Sequence, residues 1–121
     1  MIKITKDFDF QSAHFLPNVR DGHKCAKLHG HSYKVEISVT GDVNEPEGWV
    51  VDFADIERAV APLLQLIDHH CLNEVEGLEN PTAENIAIWF RDRLNRLFPG
   101  LSAIVVHEES TCRAEWSAST R

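Results

Sequence analysis

From His31 to Thr40 every second side chain is aromatic or β-branched: Tyr33, Val35, Ile37 and Val39, with Ser32, Lys34, Glu36 and Ser38 between them. A period of two requires a strand with one face in a core and the other face outside it. Carried back two residues, the same alternation presents His29 and His31 on one side, with only Gly30 between them. Two imidazoles so placed can approach one ion together. They do not complete a zinc site, which takes at least three protein ligands, so the third must come from elsewhere in the chain.

Residues 2–14 read as another strand, in which Ile2 and Ile4, then Phe8 and Phe10, alternate with charged or polar residues and His14 stands at the end. Residues 16–28 hold Pro17 and an Asp21-Gly22 turn signal, and read as a loop carrying His23 and Cys25. The second strand runs from about His31 to Thr40 and turns at Gly41-Asp42. Asp52 is placed to cap a helix from about Phe53 to Ile67, with Phe53, Ile56, Val60, Leu63 and Ile67 as its buried stripe. Pro62 inside it predicts a kink or two abutting pieces. Thr82 caps a second helix with Glu84 in its first turn and Ile86, Phe90, Leu94 and Leu97 as its apolar face, stopped by Phe98-Pro99-Gly100. Residues 102–108 form a third strand, Glu109–Thr111 a turn, and Cys112–Ser117 an edge-like fourth strand. The expectation is a single α+β domain over residues 1–121, with both helices inserted between two hairpins. Helices on one face leave the other face of the sheet bare, and any apolar surface there predicts self-association.

The 121 residues carry 12 Lys+Arg against 19 Asp+Glu, a net charge of −7. Nucleic acid and anionic membranes need a basic footprint and are excluded as main partners. Arg20, Lys24, Lys27 and Lys34 cluster in sequence around the His-rich stretch, either as a solvated surface or as a local site for an anionic small molecule. No apolar run marks Met1–Lys6 as a secretory signal, and nothing approaches the roughly 18 apolar residues of a membrane span. Three cysteines without a CxxC pair make a disulfide framework improbable. A cytoplasmic, reduced protein is expected.

Three clusters carry chemistry. His14 supplies the third imidazole beside His29 and His31, leaving a fourth position for water or substrate, the arrangement of catalytic zinc. Cys25, close to that metal and to Lys24, is either a general base or nucleophile or a fourth, structural ligand; spacing leaves both open. Asp68-His69-His70 at a helix end offers a carboxylate beside imidazoles, a proton-relay pairing that adjacent residues achieve only through a turn. Glu108 at a strand end is a salt-bridged edge residue or a ligand anchor. His23, His70 and His107 read as structural or supporting residues.

Together these segments resemble the 6-pyruvoyl-tetrahydropterin synthase family of tunnel-fold (T-fold) proteins. The resemblance rests on Phe10-Gln11-Ser12-Ala13-His14, Cys25-x-x-x-His29-Gly30-His31-Ser32-Tyr33, Val51-Asp52-Phe53, Leu66-Ile67-Asp68-His69-His70-x-Leu72-Asn73, Asn80-Pro81-Thr82-x-Glu84-Asn85, and Glu108 ahead of Ala114-Glu115-Trp116. It implies a four-stranded antiparallel sheet with two helices between strands 2 and 3, oligomerising into a barrel as a homohexamer of two trimers, with pockets at subunit junctions. The short gap between Cys25 and His29 is similar to the branch forming 6-carboxy-5,6,7,8-tetrahydropterin, with acetaldehyde and triphosphate, from 7,8-dihydroneopterin triphosphate on the route to queuosine.

By the same resemblance, His14, His29 and His31 hold Zn²⁺, Cys25 accepts a proton, and His69 with Asp68 moves the other. Glu108 anchors the pterin, Thr82 lies near it, and the basic cluster with Lys24 offsets triphosphate. Two departures stand out: Glu109 where the family often has Thr, and Trp116 where it usually has Tyr. Three rival readings remain: the same fold making 6-pyruvoyl-tetrahydropterin, a non-catalytic zinc module with Cys25 on the metal, and a three-His metal oxygenase on a β-barrel.

Overall fold

The computed structural model describes residues 1–119. It contains β1 (Ile2–His14), β2 (His29–Gly41), α1 (Phe53–Ile67), α2 (Ala83–Leu94), β3 (Leu101–Glu109) and β4 (Cys112–Ser117). All four strands form one antiparallel sheet in the order β1-β2-β3-β4. The α+β architecture expected from the sequence is the one observed, and the two helical segments leave no room for the many-stranded barrel of an oxygenase.

The alternation in β2 buries Tyr33, Val35, Ile37 and Val39, none more than 2% exposed. Phe10 of β1 stacks on Tyr33 with ring centroids 4.7 Å apart, and Phe90 of α2 packs against Phe10 at 6.5 Å. From α1 come Ile56, Val60 and Ile67, and from α2 Ile86, Trp89, Phe90 and Leu94. One core therefore lies between the helices and one face of the sheet.

The opposite face is mostly polar. Asp7 and Lys34 pair across β1 and β2 at 3.5 Å, Thr5 meets Ser38 at 2.8 Å, and His107 is bonded to Glu36. The bare face thus carries mostly charges and hydroxyls, because the residues between the core positions of β1, β2 and β4 are hydrophilic; β3 adds apolar residues there, Ala103 and Val105, opposite Ser38 and Glu36. The same alternation puts Lys34 on this face, apart from the other basic residues of its supposed cluster.

Strand β2 begins at His29 rather than His31, since His14 pairs with His29 and Ala13 with Gly30. Helix α1 runs as one helix through Pro62. That residue is exposed, so the carbonyl it leaves unpaired can be met by water. Asp52 and Thr82 cap the two helices as expected, accepting from the amides of Ala54 and Asn85. Two stripe residues are not buried: Phe53 is 48% and Leu97 61% exposed. Leu97 lies beyond the end of α2 at Leu94, where Phe98 takes the inward position, and Phe53 stands at the first residue of α1. Periodicity gives the side of a helix and not how far its ends reach over the sheet.

Candidate metal centre and active site

His14 ends β1 and His29 begins β2, so the pairing of these two strands brings them side by side, with His31 two residues further on. The three rings make edge contacts, with centroids 4.5–5.0 Å apart. Potential ligand atoms of His14, His29, His31 and Glu108 all lie within 4.8 Å of one another. The sequence-predicted triad is assembled by strand register, and the fourth group beside it is Glu108 rather than Cys25.

Two of the rings are held by their outer nitrogens. His14 Nδ1 donates to the Pro81 carbonyl at 2.8 Å and His29 Nδ1 to the Lys27 carbonyl at 2.7 Å. A carbonyl only accepts, so each Nδ1 carries a proton and Nε2 is the nitrogen left to face the cluster. His14 is fully buried, and burial pushes its pKa below the ordinary value against the raising effects of Pro81 and Glu108. A neutral imidazole is the ligand form. Among the described residues, the Nε2 atoms of His14 and His31 are buried without a hydrogen-bond partner, as is the Tyr33 hydroxyl. These two nitrogens, with the His29 ring beside them, form a donor set that suits a divalent cation, and the Glu108 carboxylate stands next to it, 3.2 Å from His31 Nε2 and 4.0 Å from His14 Nε2.

Cys25 and Lys24 share a cavity of about 490 Å³ with His29, His31, Glu108, Glu109 and Cys112. The thiol sits in a short 3-10 turn, Lys24–Ala26, fastened at both sides: the Cys25 amide donates to His23 Nδ1 at 3.0 Å, and its carbonyl accepts from Leu16 at 2.8 Å. His23 thus has the structural task expected of it, as the cap of this turn.

His69 lies at the other side of His31, in an open recess of about 570 Å³ lined by Gln11, Ser12, Ser32, His69 and His70 among others, with Asp68 next to it in the chain. His69 adopts φ 58°, and this turn brings its Nδ1 to 3.0 Å from Asp68 Oδ1. The Gln11 amide, donating at 2.9 Å, is the main cause holding the Asp68 carboxyl below its ordinary pKa, with His69 reinforcing it. Ser12 ties the segment to β1 by donating to Ile67 and His70 carbonyls, and the Ala13 amide donates to His70. The same strand end thus carries the candidate metal ligand His14 and fixes the Asp68-His69 pair.

Thr82 lines neither cavity; its hydroxyl caps α2, and the neighbouring Pro81 carbonyl is what reaches the metal cluster. Sequence reasoning missed Pro81, Lys27 and Gln11 because they act through backbone atoms, which carry no residue signature.

A family model described as 6-pyruvoyl tetrahydropterin synthase matches residues 3–119. The chain belongs to the 6-pyruvoyl tetrahydropterin synthase family. Within that family, a 6-carboxy-5,6,7,8-tetrahydropterin synthase of Synechocystis is 38% identical over 93% of this chain and 91% of its own length. A dihydroneopterin monophosphate aldolase of Pyrococcus furiosus is 36% identical over 61% of each chain. The structure of the Caenorhabditis elegans 6-pyruvoyl tetrahydropterin synthase superposes with a TM-score of 0.89, covering 98% of this chain and 96% of the other at 24% identity. That likeness supports the T-fold assignment. Among the described residues no helix is long and apolar enough to cross a membrane.

Proposed function

We propose that the protein is a zinc-dependent 6-carboxy-5,6,7,8-tetrahydropterin synthase, a carbon–carbon lyase acting on 7,8-dihydroneopterin triphosphate in queuosine and 7-deazapurine formation. The observation that carries the reading is the convergence of three histidines, two with unpartnered buried Nε2 atoms, beside a cavity that His29 and His31 share with Cys25. The name of the Synechocystis relative supports the carboxy-forming chemistry.

His14, His29 and His31 would hold Zn²⁺, which supplies the positive charge that eases removal of protons next to the substrate's side-chain oxygens. Cys25, in the same cavity, takes one of those protons. His69, oriented by Asp68, moves the other as triphosphate departs and the carbon–carbon bond breaks, with one water consumed to supply the oxygen by which the carboxylate, acetaldehyde and triphosphate together exceed the substrate. Glu108 accepts the paired N–H groups of the pterin's guanidine-like edge, a geometry suited to a carboxylate. Lys24 in the cavity wall offsets part of the triphosphate charge.

Cys25 and His69 line different cavities of one chain, so the proton-transfer pair is completed by a second copy. Strands β1 and β4 are both free edges of the sheet, the surfaces along which copies can join into a barrel. A homohexamer in the cytoplasm fits these edges and the three free cysteines. Mixing experiments test the arrangement: Cys25→Ala and His69→Ala proteins are each inactive with zinc retained, and subunit exchange between them restores turnover. Loss of zinc from Cys25→Ala would instead make the thiol a structural ligand and sink the catalytic reading.

A further inference from the structure

The metal cluster has one ligand whose outer nitrogen no backbone carbonyl holds. His14 and His29 each donate from Nδ1 to a carbonyl, at 2.8 and 2.7 Å, whereas His31 Nδ1 has no such bond and faces Glu109 Oε1 at 3.7 Å. We propose that Glu109 is a positioning residue for the metal centre: its carboxylate receives the Nδ1–H of His31, fixing the ring so that Nε2 is the coordinating atom. This rests on the zinc reading above and assigns a residue outside the ligand set.

A local irregularity in the sheet makes the arrangement possible. Consecutive residues of a regular strand point to opposite faces. Here Glu108 and Glu109 both line the cavity with His31, Glu108 against Nε2 and Glu109 against Nδ1. Pairing of β3 with β4 slips between His107, opposite Arg113, and Glu109, opposite Cys112, leaving Glu108 as an extra residue on β3. Such a bulge re-aims side chains at the end of a ladder. Without it, Glu109 would belong to the polar far face with His107. The bulge thus sets one carboxylate at each nitrogen of one imidazole.

The 3.7 Å separation exceeds a direct hydrogen bond. Glu109 is 59% exposed, and a small rotation of so free a side chain, or one bridging water, closes the gap. A carboxylate on the far nitrogen of a metal-bound histidine fixes its tautomer and raises its basicity, and losing such a partner weakens metal binding about 10- to 100-fold. The substitution of Glu for the family's frequent Thr at this position then strengthens one ligand, besides adding charge near the substrate.

The test is zinc affinity of the metal-free protein, measured by competition with a chromophoric chelator, together with the ring-nitrogen NMR signals of the zinc-loaded form. Glu109→Ala should weaken zinc about 10- to 100-fold, and Glu109→Gln, whose amide oxygen still accepts, should recover part of that loss. In Glu109→Ala the His31 Nδ1 signal should move while those of His14 and His29 stay. Zinc affinity of Glu109→Ala within twofold of the parent, or an unmoved His31 signal, would overturn the proposal while leaving the triad intact. A parent protein that binds no zinc would remove the zinc reading itself and this inference with it.

Discussion

The ring Nδ1 of His14 lies 2.8 Å from the Pro81 carbonyl, so the loop entering α2 orients a proposed metal ligand at the end of β1. His14 is fully buried, whereas the His29 bond to Lys27 is exposed. The two ligands therefore differ in what they do for the fold. His14→Ala leaves a buried carbonyl unpaired and should destabilise the metal-free protein by about 1–3 kcal/mol. His29→Ala should cost it no more than about 0.5 kcal/mol. Both should abolish stoichiometric zinc binding. Chemical denaturation of the metal-free proteins beside zinc titration separates the two effects.

The left-handed backbone of His69 predicts opposite effects on stability and turnover. A non-glycine residue there carries a conformational cost of about 1–2 kcal/mol, which glycine avoids. His69→Gly should therefore match or exceed the parent in stability while losing about 10²- to 10⁴-fold in kcat, the range for a removed general acid or base. A destabilised variant in urea denaturation would mean that the ring's contacts outweigh the backbone strain.

Asp68 sets an acid limit on stability. Its folded-state pKa lies below the ordinary 3.8, chiefly because the Gln11 amide bonds the carboxylate. The folded protein therefore binds this proton less readily than the unfolded chain does. The stabilisation is fully present above 3.8 and drains away as pH falls through the lower folded value. Asp68→Asn keeps an oxygen for Gln11 and loses the charge. The parent should exceed it in stability at pH 7, and urea unfolding should show the gap closing below about pH 4. A gap that stays constant into acid would contradict this.

Much of this was written in local pattern. The alternation of Tyr33, Val35, Ile37 and Val39 gave β2 its core face, and the two-residue spacing of His29 and His31 gave two ligands on one side. His14 could be nominated but not placed, because its position depends on the β1–β2 register, a long-range pairing. The Asp68-His69 bond was out of reach for another reason: it depends on a positive φ that no glycine announced. Glu108 and Glu109 mark the clearest gap. Strict alternation would send them to opposite faces, and only the bulge against β4 gathers both at His31.

The central claim is the reaction, and product identity tests it most directly. Purified zinc-loaded protein, incubated with 7,8-dihydroneopterin triphosphate, should release acetaldehyde and triphosphate in step with 6-carboxytetrahydropterin, and chelation of the metal should stop all three. Formation of 6-pyruvoyl-tetrahydropterin without acetaldehyde would contradict the carboxy-forming assignment on the same fold.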